Sequence, residues 1–344
     1  MSFKKHNYLV VGQGLAGTLV SWKLHLRGAN FHVIDEEREH SASKVAAGMW
    51  NPISFRKVIP TWKAAEMMQH VKSTYPEMEK ELSASFVHQR EVVRFFPNEE
   101  YETTWNKQSL KPQVAEHLGE SKTLPKPLID KPHGCVANAG YVDIPAMIYS
   151  WRNELSKRKQ YSKGSFSQIS RNGDMWHFNG KDYSRMILCV GVGMLELDDY
   201  PLQGWLRTNK GEVITFDLDS KIEPIVNNGK WVLPLANGAY KLGASYDWKA
   251  VNQEPSDEVK AVLLEKMSHM VTESPKVRLH EAGLRPTTKD RRPLVGALDP
   301  GNGVFVFNGL GTRGVLIGPY CAEELMKFLN GEALDKEIDI NRIK

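Results

Sequence analysis

The sequence predicts an α/β fold: a parallel sheet with its helices, built from separated stretches of chain, and a second, mostly antiparallel β-sheet inserted between them. Short apolar runs followed by glycines and a helical pattern occur at the start, middle and end of the chain, as is typical of parallel strands buried on both faces. Strand-like pieces separated by turns fill the gaps. The 344 residues suffice for about two domains.

The first unit of the predicted parallel sheet is a strand, a glycine turn, a helix and a second strand. The apolar runs 7–11 and 31–34 predict the two strands. Between them, apolar residues recur at helical spacing from Leu15, and Gly28 is placed to end that helix. The chain therefore opens with a βαβ unit.

The turn inside this unit has the pattern GxGxxG. The first glycine permits a tight turn, the second lets the backbone approach a pyrophosphate, and the third lets helix and strand pack closely. The helix N-terminus then stabilises the anion. We expect a dinucleotide cofactor to contact Gly12, Gly14, Leu15, Ala16 and Gly17.

Acidic residues follow the second strand. Asp35 stands where it can accept hydrogen bonds from an adenosine ribose, and Glu36 follows it. An acid here disfavours the 2′-phosphate of NADP. The fingerprint leaves both NAD and FAD open.

Two later loops favour a flavin. The backbone of the small-residue loop 43–49 can press against a flat ring, and there we expect contacts from Ser43, Ala46, Ala47, Gly48 and Met49. The glycine-rich loop 309–314 lies between a predicted strand and the last helix, so its N–H groups can stabilise negative charge on a reduced flavin. In it we expect contacts from Gly309, Gly311, Thr312, Arg313 and Gly314.

Other segments supply the remaining elements. Thr61 is predicted to cap a helix that begins at Trp62, and Asp143 to cap a second helix. The run 186–190 predicts a further buried strand that ends at Gly191. Ser256 is predicted to cap a helix in the inserted part.

Antiparallel structure is predicted from strand-like runs separated by Asn-Gly turns, such as 212–216, 230–235 and 240–243. The motif order makes the two domains interleaved. We assign 1–80, 140–205 and 280–344 to the cofactor domain. We assign 81–139 and 206–279 to the inserted substrate domain.

Composition excludes several classes of protein. With 41% hydrophobic and 25% charged residues, long disorder is not expected, and a net charge of +4 does not indicate a nucleic-acid partner. The three cysteines form no CxxC pair and suggest neither a disulfide framework nor a metal site. No apolar run suits a membrane span or a signal peptide, so we expect a cytoplasmic protein.

Taken together, these motifs resemble the D-amino-acid-oxidase-like FAD oxidoreductases. This family includes glycine oxidase, sarcosine oxidase, D-amino-acid oxidase and the FAD domain of the tRNA-modifying 5-methylaminomethyl-2-thiouridine enzymes. The resemblance spans nearly the whole chain in family order, and the segment 283–314 resembles glycine oxidase in particular. The matching segments are 12–17 with Asp35, 46–49, 140–145, 186–193, 283–296 and 309–319.

The resemblance implies roles for individual residues. Arg285 matches the arginine that binds the substrate carboxylate, and Arg313 is placed to assist the substrate or balance flavin charge. Trp50 and Asn51 follow the flavin loop, although a tryptophan there is equally typical of a core. Phe166 and Gly191 match positions at the cofactor. Tyr246 is a weaker pocket candidate and is better explained as a surface aromatic.

The family also attaches FAD covalently in some members, through cysteine or histidine. Here Gly283 and Val45 stand at those positions, so we expect non-covalent FAD. The expected reaction is oxidation of the C–N bond of a small amine or amino acid by hydride transfer to flavin N5, giving an imine. The alternatives are a tRNA-modifying FAD oxidoreductase acting on a carboxymethylaminomethyl-uridine, and a non-catalytic FAD-binding protein. The electron acceptor and the oligomeric state stay open.

Overall fold

The computed structural model describes residues 3–198, 202, 204–250 and 252–343. The remaining residues of the ranges assigned above to the two domains lie outside this description. The helices are α1 (Leu15–Leu26), α2 (Ala42–Val45), α3 (Ala64–Leu82), α4 (Glu99–Ser109), α5 (Pro112–Ala115), α6 (Ile144–Lys157), α7 (Asp257–Ser268) and α8 (Gly314–Leu329).

The strands are numbered in chain order. They are β1 (Asn7–Val11), β2 (Asn30–Asp35), β3 (Met49–Trp50), β4 (Ile53–Ser54), β5 (Ile59–Pro60), β6 (Val87–Gln89), β7 (Val92–Phe95), β8 (Leu118–Gly119), β9 (His133–Val136), β10 (Gly140–Val142), β11 (Tyr161–Lys163), β12 (Ser170–Asn172), β13 (Met175–Phe178), β14 (Lys181–Tyr183), β15 (Arg185–Leu188), β16 (Leu206–Asp217), β17 (Ile225–Asn228), β18 (Lys230–Pro234), β19 (Tyr240–Gly243), β20 (Lys276–Thr288), β21 (Leu294–Asp299) and β22 (Val304–Asn308).

A six-stranded sheet in the order β11-β2-β1-β15-β22-β21 forms the first layer. All of its neighbours pair in parallel except β21 and β22. Its central strands are buried on both faces, as their continuous apolar runs predict. Tyr8 and Val10 pack against α1, α3, α6 and α8, whereas Leu9 and Val11 pack against the small sheet β12-β13-β14.

An eight-stranded sheet in the order β20-β16-β19-β18-β17-β7-β9-β8 forms the second layer. It is antiparallel apart from the β17–β7 pair. Because successive side chains alternate across a strand, Ile214 and Val232 pack beneath α7, while Val213 and Trp231 face the opposite side. The predicted fold class, a Rossmann-like domain with an inserted antiparallel sheet, is confirmed.

Two local expectations are corrected. The third helix begins at Ala64 rather than Trp62, and its N-cap is Lys63 rather than Thr61; the Thr61 hydroxyl makes no capping hydrogen bond. Strand β20 continues to Thr288 because it pairs with β16 along its whole length. The boundary placed between residues 279 and 280 therefore falls inside a strand, and Arg285 belongs to the antiparallel sheet. The caps predicted at Asp143 and Ser256 are present.

Within the described part of the chain, no helix is both long enough and apolar enough to cross a bilayer. The same residues contain no cluster of three or more histidine, cysteine, aspartate or glutamate side chains placed to hold a metal.

Candidate active site

A cavity of about 1420 Å³ lies between the two sheets. One wall is the edge of the parallel sheet where β1 and β2 end, and the other is the face of the antiparallel sheet opposite α7. Nearly all the site residues proposed from sequence line it. The two exceptions are Gly17 and Gly309, which lie behind the lining.

The glycine turn after β1 is built as its pattern predicts. Gly12 has a φ of +95°, and a β-carbon there would lie 2.6 Å from the carbonyl oxygen of Cys189. A β-carbon on Gly17 would overlap the carbonyl oxygen of Gly12, so α1 can approach β1 only because residue 17 has no side chain. Gly17 thus serves packing, which explains why it does not line the cavity.

The N-terminus of α1 opens into the cavity beside the loop 43–49. Ser43 Oγ accepts from the Leu15 N–H at 3.0 Å and so fixes this loop against the first turn of the helix. A β-carbon on Gly14 would lie 3.0 Å from the same hydroxyl. Gly14, Leu15 and Ala16 therefore present backbone at a positive helix end, the arrangement that suits a pyrophosphate.

Asp35 is the centre of a hydrogen-bond network at this end of the cavity. Its carboxylate accepts from the N–H groups of Gln13 (2.6 Å) and Glu37 (2.8 Å) and from Arg152 Nη2 (3.1 Å). These contacts tie the end of β2 to the glycine turn and to α6. The predicted hydrogen bonds from Asp35 to a ribose stay a prediction.

Glu36 takes part in an ion-pair bridge at the same end. Arg38 donates from Nε to Glu36 at 2.6 Å and from both Nη atoms to the Glu196 carboxylate at 3.0 and 2.6 Å. The two carboxylates raise the pKa of Arg38. The bridge joins the segment after β2 to the turn that starts at Gly191. Phe166, on the loop after β11, also lines this end.

The loop 309–314 is held by hydrogen bonds of the buried Asn308 side chain and of its own backbone. Asn308, 1% exposed, donates from Nδ2 to the Gly191 carbonyl at 2.8 Å and accepts from the Gly309 N–H at 2.7 Å. The Gly311 N–H donates to the Pro286 carbonyl at 2.9 Å. The loop therefore enters α8 in a fixed position, with Gly311, Thr312 and Gly314 lining the cavity.

The loop from Ala46 to Asn51 lines the cofactor region on the side that faces the loop 309–314. The Gly48 carbonyl accepts from the Val142 N–H at 3.0 Å, which holds the loop against β10. Trp50 is buried and also lines the cavity, so its ring is both core and wall. Asn51 Oδ1 accepts from the Ile53 N–H at 2.9 Å, so this side chain shapes the turn that follows it.

Arg285 lies on the cavity face of the antiparallel sheet. Its Nη1 donates to Asn209 Oδ1 at 2.9 Å and to the Ser245 carbonyl at 3.3 Å, and its guanidinium lies 5.1 Å from the centroid of the Tyr246 ring. Burial lowers its pKa. No carboxylate lies within ion-pair distance of Arg285 among the described residues. A cation held only by neutral groups in a cavity is placed to bind an anion.

Arg313 is a second cation at this end. Its side chain borders the cavity and is exposed to solvent there. Desolvation by the surrounding protein lowers its pKa. Tyr246, expected to be an ordinary surface aromatic, instead lines the cavity beside both arginines, although it is 57% exposed.

The acidic side chains that line the cavity are confined to one of its ends. Among the described lining residues, the acids all lie at the dinucleotide end, on β2, the residue after it, or the segment that follows Gly191; they are Asp35, Glu36, Glu196 and Asp198. The end lined by Arg285, Arg313 and Tyr246 has no acidic side chain in its described lining.

Sequence reasoning missed Asn209, which accepts a hydrogen bond from Arg285, and Arg94. Asn209 is fully buried opposite Arg285 in the β16–β20 ladder. Arg94 is buried on the cavity face of β7, where it donates to Asn227 Oδ1 at 2.6 Å. The sequence did offer one signal for these residues: polar residues alternate with apolar ones inside the predicted strands. The face of the sheet that they occupy, however, depends on how the strands pair, and this register cannot be read from the sequence.

The residues present fit an FAD molecule. The cavity has a glycine-lined helix N-terminus for a pyrophosphate, an acid at the end of β2, and two backbone loops that face each other where a flat ring would lie. Its volume exceeds that of a typical small-ligand pocket, as a bulky dinucleotide with a substrate requires.

Comparison with known proteins agrees with this geometry. The chain is similar to the uncharacterized oxidoreductase YurR of Bacillus subtilis, with 22% identity over 96% of this chain and 97% of that protein. It is also 24% identical to the tRNA 5-methylaminomethyl-2-thiouridine biosynthesis bifunctional protein MnmC of Legionella pneumophila. That match covers 84% of this chain but 45% of MnmC, so the chain spans under half the length of that relative.

Two solved structures share the fold. Iminodiacetate oxidase from Chelativorans sp. BNC1 superposes with a TM-score of 0.80 at 16% identity, over 95% of this chain and 96% of that one. Glycine oxidase from Bacillus cereus superposes with a TM-score of 0.75 at 16% identity, with the same coverage.

The sequence model of one family, described as FAD dependent oxidoreductase, matches residues 7–327. This match covers the glycine turn, both cavity loops and Arg285, and it confirms the resemblance drawn from the motifs. The chain therefore belongs to the FAD dependent oxidoreductase family, and it is an enzyme whose cofactor is FAD.

Proposed function

We propose that this enzyme oxidises the carbon–nitrogen bond of a small amine that carries a carboxylate. The observation that carries the proposal is Arg285, a partly buried cation on the cavity wall with no acidic partner in the described chain. A guanidinium can bind a carboxylate through two parallel hydrogen bonds and so fix the orientation of the substrate.

The FAD supplies the two-electron acceptor that takes a hydride from the carbon next to the nitrogen. The protein supplies position. Arg285 holds the carboxylate, Asn209 and the Ser245 carbonyl hold Arg285, and the loops around Met49 and Gly311 fix the substrate-facing side of the cofactor region. Orientation of this kind can account for a large part of a rate enhancement.

Proton transfer places a further requirement on the substrate. The described lining near Arg285 contains no carboxylate or histidine that could act as a base. The amine must therefore react in its neutral form, with its lone pair assisting departure of the hydride. Loss of the hydride would leave the substrate as a protonated imine, which water would hydrolyse to a carbonyl compound and a protonated amine.

The test is an anaerobic screen. The purified holoenzyme is mixed with glycine, N-methylglycine, D- and L-amino acids and simple amines, and the flavin absorbance is followed. We expect bleaching by amines that bear a carboxylate and none by the matched amines without one. Bleaching by carboxylate-free amines alone would contradict the proposal, as would a flavin that no amine reduces.

The tRNA-modifying alternative rests on the similarity to MnmC. Three of the basic residues that could contribute to an RNA surface have acidic partners: Arg158 pairs with Glu154, Lys163 with Glu37, and Arg292 with Glu337. We therefore favour a small-molecule substrate. Salt-sensitive binding of tRNA in a filter assay would reverse that preference.

A further inference from the structure

Arg94 lies on the cavity face of β7, away from Arg285. It is 9% exposed, and its Nη1 donates at 2.6 Å to Oδ1 of Asn227, the residue paired with it on β17. Its guanidinium lies 5.1 and 5.5 Å from the ring centroids of Tyr101 and Phe55, and its Nε donates to the Tyr101 hydroxyl at 3.4 Å. Each of these residues lines the cavity. The position of this cation is therefore fixed by the protein itself.

The hydrogen-bonding capacity of this corner of the cavity is only partly used. In the part of the chain that the structure describes, Arg94 Nη2 and Asn227 Nδ2 donate to no acceptor, and no carboxylate lies within ion-pair distance of Arg94. Because both residues border the cavity, a ligand there can supply the missing acceptor. A guanidinium beside an amide N–H suits a carboxylate.

An apolar surface separates Arg94 from Arg285. Four residues that pair in register form a row across β16, β19, β18 and β17: Val213, Gly243, Trp231 and Asn227. A β-carbon on Gly243 would lie 2.6 Å from Cζ2 of Trp231, so the indole ring extends over this glycine. Val213 and Trp231 both line the cavity. A ligand that reaches from one arginine to the other therefore crosses an apolar surface, which suits a methylene chain.

The strand order gives the length of such a ligand. The Arg285 guanidinium lies over Gly211 on β16, and Arg94 is bonded to Asn227 on β17, three strand spacings away. At about 4.8 Å for each spacing, the two cations are about 14 Å apart across the sheet. Each guanidinium–carboxylate pair takes up about 4 Å, which leaves about 6 Å between the two carboxyl carbons. A chain of roughly six or seven atoms spans that distance.

We propose that Arg94 and Asn227 form a second anion-binding subsite, which binds the distal carboxylate of a long substrate whose amine and first carboxylate lie at Arg285. This inference rests on the proposed function and narrows its substrate class to amines that carry two carboxylates at the ends of an extended, mainly apolar chain.

Calorimetric titration of the holoenzyme with dicarboxylates of rising length tests the subsite without turnover. Succinate, glutarate, adipate, pimelate and suberate are each compared with the monocarboxylate that has the same number of carbons. Succinate is too short to reach both arginines, so its affinity ratio should be near one. We expect the ratio to reach about tenfold at adipate or pimelate, the value of one charge-assisted hydrogen bond. A ratio near one at every length, or one that is largest for succinate, would overturn the inference.

Two variants assign the subsite. Asn227→Asp places a carboxylate against Arg94 with little change of shape, so it neutralises the cation, and Arg94→Met keeps a side chain of similar volume between the two rings. In both we expect the ratio to fall close to one and monocarboxylate affinity to stay unchanged. Asn172→Asp adds the same charge on the exposed strand β12, outside the cavity lining, and should leave the ratio unchanged. A ratio that survives in either subsite variant, with FAD bound, would overturn the role of Arg94.

Turnover separates this inference from the proposed function. N-(3-carboxypropyl)glycine and N-butylglycine have the same chain length and differ by one terminal carboxylate. Faster anaerobic flavin reduction by the first compound at limiting concentration supports both proposals, and equal rates overturn the distal subsite alone. If no amine reduces the flavin, amine oxidation fails, while the ratios of the dicarboxylate series still decide whether Arg94 binds an anion.

Discussion

The guanidinium of Arg285 lies directly over the α-carbon of Gly211 on the neighbouring strand. A β-carbon built on Gly211 would overlap Cζ and both Nη atoms of Arg285. In the β16–β20 ladder, Gly211 pairs with Gly283 and Asn209 pairs with Arg285. The arginine therefore extends from its place opposite Asn209, whose Oδ1 accepts its hydrogen bond, over Gly211, which has no side chain.

We expect Gly211→Ala to displace Arg285 and to weaken the binding of carboxylate ligands by tenfold or more, while FAD stays bound. The reason is that the new methyl group occupies the space of the guanidinium. Titration with butyrate measures the first effect, and the flavin-to-protein absorbance ratio the second. Gly301→Ala is the control, because a β-carbon there meets one atom at 3.7 Å, Asp299 Oδ1, an ordinary contact. Unchanged affinity in Gly211→Ala would show that Arg285 does not bind the ligand from this position.

Replacing Arg285 itself separates charge from geometry. Arg285→Met should raise the KM for a carboxylate substrate by about tenfold to a hundredfold, the range of a charge-assisted hydrogen bond. Arg285→Lys should recover only part of this loss, since an ammonium cannot form the two parallel hydrogen bonds of a guanidinium. Steady-state kinetics with one substrate and its carboxylate-free analogue check this. Equal losses for both compounds would indicate a general packing defect.

The glycines of the first turn should differ in their effects. Gly17→Ala should destabilise the protein by at least about 2 kcal/mol, because its methyl group would force α1 away from β1. Gly14→Ala should leave the Tm nearly unchanged and weaken FAD binding, because its methyl group would enter the cavity beside Ser43. Thermal unfolding of the apoprotein and FAD titration measure the two effects. A large loss of stability in Gly14→Ala would contradict the distinction.

The FAD should leave the protein on denaturation. Gly283 lies against Val45, and neither has a nucleophilic side chain. The three cysteines are buried, and burial raises the pKa of Cys189, which lines the cavity, so its thiol stays protonated and unreactive. After acid precipitation we expect the yellow colour in the supernatant. A yellow, washed pellet would show a covalent bond.

Acid should destabilise the fold partly through His32. This buried side chain on β2 contacts Ser162 Oγ at 2.9 Å, and burial lowers its pKa from 6.5 to about 4, with a smaller effect from Lys181. Above pH 6.5 the His32 imidazole is neutral in both the folded and the unfolded protein, so it makes stability no more and no less dependent on pH. Between pH 6.5 and 4 the unfolded chain binds a proton that the native protein does not, so stability falls by up to about 3 kcal/mol. Urea unfolding of His32→Gln should show a flatter acid limb; an identical slope would exclude His32.

Much of the cofactor region could be predicted from sequence because its signals are local. Gly12 and Gly17 act within one turn, Asp35 ends the adjacent strand, and Asp143 caps the helix directly after it. Such signals need only a few neighbouring residues. The helix start at Ala64 was misplaced because the cap is Lys63, a residue in the left-handed backbone conformation that has no typical capping side chain.

The substrate end could be predicted only in part because it depends on register across distant strands. Arg285 was found through its motif, but Asn209, Lys230 and Tyr246 approach it from β16, β18 and the segment after β19. No local pattern states that these strands are neighbours or which face each side chain occupies. Tyr246 is an example: the sequence suggests an ordinary surface aromatic, but the pairing of the strands brings it to the cavity.

The order of strands in the parallel sheet also limits when the cofactor site can form. Strand β1 pairs with β15, and β15 pairs with β22, so Tyr8 lies opposite Arg185 and Ile187 lies opposite Phe305. Contacts between such distant segments close late and slow folding. During synthesis the glycine turn leaves the ribosome long before β22 and the loop after it. FAD binding must therefore follow near-completion of the described chain, and a nascent fragment that ends before β22 would lack the wall that completes the site.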